Sequence, residues 1–357
     1  MIRKPARAAV ASSPEVEAAA DELLAKGNAV DAAVAGAFAA CATSPGVLLG
    51  PMQILVGGGG LGLRALDGRV RQPGVGAPRP RGFKDDEEVP DAARVGVPWL
   101  PATLSAAVAT AGTATFKHVM GPALALAKGS PRHDVLAKIA ARGARAIEER
   151  PLSSELLALA GRASGGLLTG DDLASPRPEV HRASRRLVPG AGAGPRSKRA
   201  MSEPASNELP RAVIELPWAN DLDGMPAAPA AYVDVASARA VLAVDRHGAF
   251  AIAVWAETHE GIALGELGLR APFFAEPVRR GQTRVRPGDA RPAAAPIAMV
   301  GTEVGPEVAF AAFGAGDAYD VLRGAIRSLL DDDRIEAHGE ARLVALSHAQ
   351  GAASVFR

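Results

Sequence analysis

Ala240-Val-Leu-Ala-Val-Asp-Arg-His-Gly-Ala-Phe-Ala-Ile-Ala-Val-Trp-Ala256 holds two apolar runs joined by a short polar turn. Runs of five and eight apolar residues without polar alternation predict strands covered on both faces, and the Asp245-Arg-His-Gly248 turn makes them a hairpin. Two further strand pairs follow, Ile297–Gly301 with Val308–Phe313, and Arg342–Ser347 with Ala352–Phe356. Between them Ala318–Leu330 has helical spacing and is stopped by Asp331-Asp-Asp333. Upstream, Pro14–Lys26 and Ala29–Ala42 read as a helical pair, with Ser13 as N-cap and Glu15 and Glu17 at the positive end. The second helix is apolar on nearly all faces and should be sandwiched between layers. Gln53–Val56, Gly57-Gly-Gly-Gly60 and Leu61–Leu66 come next, and Asp67-Gly68 is expected to turn a hairpin into Arg69-Val70-Arg71. Helices are expected at Ala102–Ala111, Phe116–Lys128, His133 to about Glu149, and Ser153–Gly161, with Thr169 capping a short one. Helices grouped with antiparallel strands imply a layered arrangement.

The 357 residues allow a sizeable core, and 40 Lys+Arg against 39 Asp+Glu give a net charge of +1. That balance supplies no electrostatic case for nucleic acid or a membrane surface. One cysteine, Cys41, excludes an internal disulfide and a thiolate-built zinc site, and the seven histidines show no metal-ligand spacing. With 39 Gly, 28 Pro and 14 aromatic residues, the interior should be Ala, Val and Leu. The basic start Met1–Arg7 is followed by no apolar leader, and Ala29–Cys41 is too short to span a bilayer, so a cytoplasmic protein is expected. The pattern lapses from Arg182 to about Arg211, where Arg185, Arg186, Arg196, Lys198 and Arg199 cluster; a solvated mobile loop fits better than a nucleic-acid contact, since no aromatic side chains are interleaved.

Single residues have plain structural readings. Asn28 can cap the second helix and bond the glycine-rich backbone, and Asp31 lies in that helix's first turn. The Gly57–Gly60 run lacks the following helix and Lys-Ser/Thr pair of a phosphate loop, so a close approach of sheet and helix layer explains it better. Thr258-His259-Glu260 is expected in a solvent-facing loop, Trp255 in the core, and Trp218 exposed for contact.

Four stretches, in order, give the chain a resemblance to the gamma-glutamyltranspeptidase family. They are Gly27-Asn-Ala-Val-Asp-Ala-Ala-Val34 with the glycine run; Val95-Gly-Val-Pro98 with Gly121–Gly129; Gly165-Gly-Leu-Leu-Thr-Gly-Asp-Asp-Leu-Ala174; and Val244–Ala251 with Arg291-Pro292 and the glycine turn at 314–316. The resemblance implies an α+β fold, the N-terminal-nucleophile-hydrolase four-layer αββα sandwich. It implies one domain over 1–357, with 1–181 resembling the large subunit, 182–232 an irregular connection, and 233–357 resembling the small subunit. Family members cleave themselves to expose a threonine whose hydroxyl attacks a gamma-glutamyl amide while its own amine acts as base.

The residues for that chemistry are largely replaced. The family threonine lies seven positions before the hairpin aspartate, which here is Ala238, followed by Arg239 and Ala240. Ser237 is the nearest hydroxyl, but a one-residue shift in a strand reverses the face unless a bulge restores it. The family's substrate arginine before Ala-Pro falls on Gly74, leaving Arg71, Arg79 or Arg81 as nearby substitutes; the serine pair falls within Ala293-Ala294-Ala295. The oxyanion-hole glycines fall on Gly316-Asp317 or Asp317-Ala318, and the α-amino cluster has no counterpart in Gly265–Phe273. The expectation is therefore a catalytically degenerate, unprocessed chain that needs no cofactor or metal. It would act as a binding or assembly partner, of another protein or of a second copy. The alternatives are an active transferase or amidohydrolase using Ser237, and a module binding an amino acid or peptide in the old cleft.

Overall fold

The computed structural model describes residues 6–78, 80–86, 88–174, 179–188, 210–219, 237–292, 295–349 and 351–357. Two six-stranded antiparallel sheets lie at its centre. The first contains β1 (Ala8–Ala11), β2 (Met52–Gly57), β3 (Arg64–Gly68), β4 (Glu179–Arg182), β7 (Ala238–Val244) and β8 (Phe250–Ala256). The second contains β5 (Ser184–Val188), β6 (Arg211–Glu215), β11 (Ile297–Gly301), β12 (Pro306–Phe313), β13 (Arg342–Ala349) and β14 (Ala352–Phe356). Their orders are β1-β7-β8-β2-β3-β4 and β14-β13-β12-β11-β6-β5. A small ribbon pairs β9 (Ile262–Leu264) with β10 (Leu269–Ala271).

Three apolar clusters define the layers. Val10, Leu55, Ala65, Ala238, Ala240, Leu242 and Ile252 of the first sheet meet Ile214, Ile297, Met299, Ala311, Phe313 and Leu346 of the second. On its outer face the first sheet turns Ile54, Val56, Val241, Ala243 and Trp255 toward helices α1 (Pro14–Leu24), α2 (Ala29–Thr43), α3 (Leu100–Ala111) and the shorter helices that follow. The second sheet's outer face packs Ala298, Val300 and Phe310 against Val321, Leu322 and Ile326 of the helix Ala318–Asp332. The result is the four-layer αββα sandwich of the N-terminal-nucleophile hydrolases. Residues of β7 alternate between the two clusters, as a strand's period of two requires, and the core is built mainly from Ala, Val and Leu. α2 is buried from Ala29 to Ala42 between α1, the other helices and the sheet.

The fold departs from the sequence reading at definite points. Asp67-Gly68 does not turn a hairpin but ends β3, which pairs back on β2 with Gln53 opposite Asp67. The reversal is made by the glycine run, where Gly58, Gly59 and Gly60 have φ of +80°, +56° and +81°. That run approaches the β7–β8 turn rather than the helix layer: a Cβ on Gly58 would lie 2.2 Å from the Gly248 carbonyl oxygen. The expected helix Phe116–Lys128 is two, Phe116–Val119 and Gly121–Ala127, because Pro122 cannot bond back to His118 and its ring crowds that carbonyl. The third helix is α-helical over Arg132–Arg142 and tightens to a 3-10 turn at Gly143–Ile147. The stretch read as an irregular connection supplies β5 and β6, and Arg185 and Arg186 lie on β5 rather than in a loop. Arg196, Lys198 and Arg199 fall outside the described residues. Among the described residues no helix is long and apolar enough to cross a membrane.

Candidate functional site

α2 begins with a built capping box. The Asn28 side chain accepts from the N–H groups of Val30 and Asp31, while Asp31 Oδ2 accepts from the Asn28 N–H. The Asn28 amide then donates to the Ala111 carbonyl oxygen at 2.7 Å, not to the glycine-rich backbone. Fully buried Asp31 also accepts from the Thr113 N–H and hydroxyl and from the Ala114 N–H. Asp245, in the β7–β8 turn, accepts from the His247 and Ala249 N–H groups and from Ala29 at the start of α2. The two most recognisable sequence stretches thus fasten α2 to the central hairpin.

The open end of that hairpin carries Ser237 and Ala238, the positions the resemblance singles out. β7 and β8 pair in unbroken register from Ala238 opposite Ala256 to Val244 opposite Phe250, and the Glu257 N–H donates to the Ser237 carbonyl oxygen at 2.9 Å. No bulge shifts the strand. Ala238 is fully buried in the inter-sheet core with Ala240 and Leu242. Ser237 lines a cleft of about 670 Å³ together with Glu257, His259, Glu260, Glu276 and Arg291. Thr258, His259 and Glu260 lie in a loop with His259 and Glu260 exposed, as expected, and form one wall of the cleft, with Phe273 and Phe274 as apolar surface.

The charges of the cleft are tethered. Glu257 pairs with Arg239 at 3.3 Å, and Glu276 bridges Arg291 at 3.2 Å and Arg279 at 2.9 Å. Arg291 Nε donates to the Phe274 carbonyl, and the buried Gln72 side chain holds the Glu276 backbone through both its N–H and its carbonyl. Arg239, Arg279 and Arg291 thus balance two of the three wall carboxylates, Glu257 and Glu276. In the uncut chain the Ser237 nitrogen is an amide, so this hydroxyl has no α-amine to act as base.

Other residues singled out from the sequence lie elsewhere. Arg71 is buried, its Nη2 bonding Asp67 Oδ2 at 3.0 Å and Glu179 Oε2 at 3.2 Å, with its guanidinium 4.0 Å over the Trp99 ring. A guanidinium so engaged is not presented to the cleft. Gly74 has φ +112°, and its N–H and that of Val75 donate to the buried Asp172 carboxylate. Gly316 precedes the last helix, and a Cβ there would meet nothing within 4 Å. The Asp317 carboxylate accepts from the Glu340 and Ala341 N–H groups, pinning that loop to the helix start. Neither Gly316 nor Asp317 lines the cleft. Ala293 and Ala294 lie outside the described residues; Ala295 is buried between the sheets.

A second polar group escaped the sequence reading. Across the first sheet, Val254, Gln53, Asp67 and Glu179 stand in one row. Trp218, expected to be exposed, closes this row: its Nε1 donates to Gln53 Oε1 at 2.6 Å, its ring meets His181 edge-on at 5.5 Å, and Arg69 lies 4.8 Å over it. Asp67, Glu179 and His181 offer ligand atoms within 4.8 Å of one another. Arg69 and Arg71 already hold Asp67 at 2.8 and 3.0 Å, so a cation there would face two guanidiniums. The donor set is an ion-pair network and fits a metal poorly. Burial raises the Asp67 carboxyl, but the Arg69 hydrogen bonds and the Arg71 and Arg69 charges outweigh it and hold it below the usual carboxylate range. Burial pushes the Cys41 thiol far above its ordinary value, which leaves it inert as a nucleophile.

Comparison with protein-family profiles finds no match, and comparison with curated proteins finds none either. Among solved structures the chain is similar to cephalosporin acylase from Bacillus halodurans, at 13% identity over 99% of this chain and 96% of that one, with a TM-score of 0.70. It is also similar to LmbA2991T421A, at 13% identity over 99% and 97% of the two chains, with a TM-score of 0.73. Gamma-glutamyltranspeptidases are among the matches; the one from Pseudomonas nitroreducens, complexed with L-DON, aligns at 22% identity over 50% of this chain and 67% of that one, with a TM-score of 0.41. The first two share the whole sandwich, and at such identity the likeness is one of fold. The last, partial alignment carries no argument about the site.

Proposed function

We propose that this chain is a non-catalytic protein on an N-terminal-nucleophile-hydrolase scaffold, remaining a single chain and acting by binding a partner or ligand at the cleft beside Ser237. One observation supports the reading: β7 and β8 pair without a bulge, so Ala238, at the position where the resemblance calls for a hydroxyl, stays buried between the sheets with Ser237 one step away. The loss of the arginine at Gly74, where φ is +112°, supports it, because a side chain there would be strained.

Intact mass and a gamma-glutamyl anilide assay test the proposal together. A single species of 36.4 kDa that releases no glutamate is expected. Two fragments with glutamate release would sink it. A second reading, an amidohydrolase with Ser237 as nucleophile, draws on the place of Ser237 in the cleft wall. It requires cleavage before Ser237 to free its amine, and a Ser237→Ala variant would then remain uncut.

A further inference from the structure

A separate groove of about 480 Å³ lies between the loop after Gly76 and the turn before the short helix Gly170–Ala174, and it shares no lining residue with the Ser237 cleft. Its walls are apolar, formed by Pro78, Pro80, Phe83, Leu167, Leu168 and Val278. The prolines hold backbone that donates no N–H, so these walls carry few hydrogen-bond donors of their own. The volume falls in the usual range for a small-molecule site.

Two cations stand at this apolar surface. Arg81 and Arg162 both line the groove and are both exposed. Neither makes an ion pair or side-chain hydrogen bond among the described residues. Among the described acids next in the chain, Asp85 accepts from the Glu88 N–H, Asp86 pairs with Arg279, and Glu88 accepts from the Lys84 N–H, while Glu87 lies outside the described residues. Asp171 is itself engaged, and Asp172 is buried on the Gly74 and Val75 N–H groups. An apolar trough with two guanidiniums unpaired among the described residues complements a ligand with an apolar body and an anionic head.

The groove is also held in shape from beneath. The Leu168 N–H donates to the Ala160 carbonyl, the Gly166 N–H to that of Gly161, and the Thr169 hydroxyl to that of Val75, which ties one wall to the other. The opposite rim is fastened where the Phe83 N–H donates to Val278 and the Arg280 N–H to Phe83. A preformed trough spares a ligand the cost of ordering it.

We infer that this groove is a second binding site, for a small amphiphilic carboxylate whose chain lies on Phe83, Leu167 and Val278 while its head meets Arg81 and Arg162. The inference is independent of whether the Ser237 cleft is catalytic. Calorimetric titration of the full chain with octanoate tests it, with 1-octanol as the uncharged control and Arg81→Ala/Arg162→Ala as the variant. Octanoate should bind the native protein, octanol at least tenfold more weakly, and the double variant should lose at least tenfold in octanoate affinity at an unchanged melting temperature. Leu167→Trp, which fills the trough and keeps both arginines, should weaken octanoate as well. Absence of octanoate binding, equal binding of octanol, or undiminished binding by the double variant would each overturn the inference.

Discussion

Asp67 shows how a single side chain can look like a turn signal and act as an anchor. Its side chain is almost fully buried, and it accepts from Arg69 Nε and Nη2 and from Arg71 Nη2. Its carboxyl sits below its ordinary range in the folded protein, so the stability it contributes is present above the unfolded value of about 3.9 and is lost as pH falls through the folded one. Asp67→Asn should cost about 3 kcal/mol at neutral pH, because two arginines lose their buried partner. Urea unfolding at several pH values should then show a shallower acid loss for the variant than for the native chain; parallel curves would refute that role. Asp31 illustrates the opposite case, being legible at once as a first-turn acid of α2. What its position in the chain could not show is the long-range half of its bonding, to Thr113 and Ala114, some eighty residues away.

Among the elements, the turn between β2 and β3 is tightly constrained. Gly58 has φ +80°, and a Cβ there would stand 2.2 Å from the Gly248 carbonyl oxygen in the β7–β8 turn. Gly58→Ala therefore meets both backbone strain and a backbone clash, and should destabilise by about 2–3 kcal/mol in denaturant unfolding. Gly60→Ala is a useful comparison, since it carries the same kind of φ but meets nothing within 4 Å, and should cost less. Equal losses would show that strain alone sets the effect. The misreading of Asp67-Gly68 has the same origin, because either pair of small residues permits a reversal and the choice lies in which strands find partners. The hairpin, which the structure extends back to Ala238, was legible over Ala240–Ala256 because its apolar runs leave no polar face. β5 was not: its pattern Ser-Arg-Arg-Leu-Val is that of an edge strand, mostly in contact with solvent.

For the molecule as a whole, both halves of the chain build the same sheet. β1 to β4 come from residues 8–182, while β7 and β8, from 238–256, insert between β1 and β2. A fragment of residues 1–181 would leave β1 without its partner strand β7 and β2 without β8. It should lack a cooperative thermal transition by circular dichroism alone and gain one when mixed with 233–357. Cooperative unfolding of the first fragment by itself would contradict this interleaving.

Apolar periodicity and local capping were enough to read the central hairpin and the buried α2, since each depends on residues close together in the chain, whereas the four-layer sandwich and the missing hydroxyl at Ala238 were legible only through the family resemblance. The cleft wall at Thr258–Glu260, the ion-pair row from Gln53 to Glu179, and the groove below Arg81 and Arg162 emerged from the folded chain. They join residues up to about two hundred positions apart, and which polar groups meet across such distances depends on strand order and register, which local sequence does not encode.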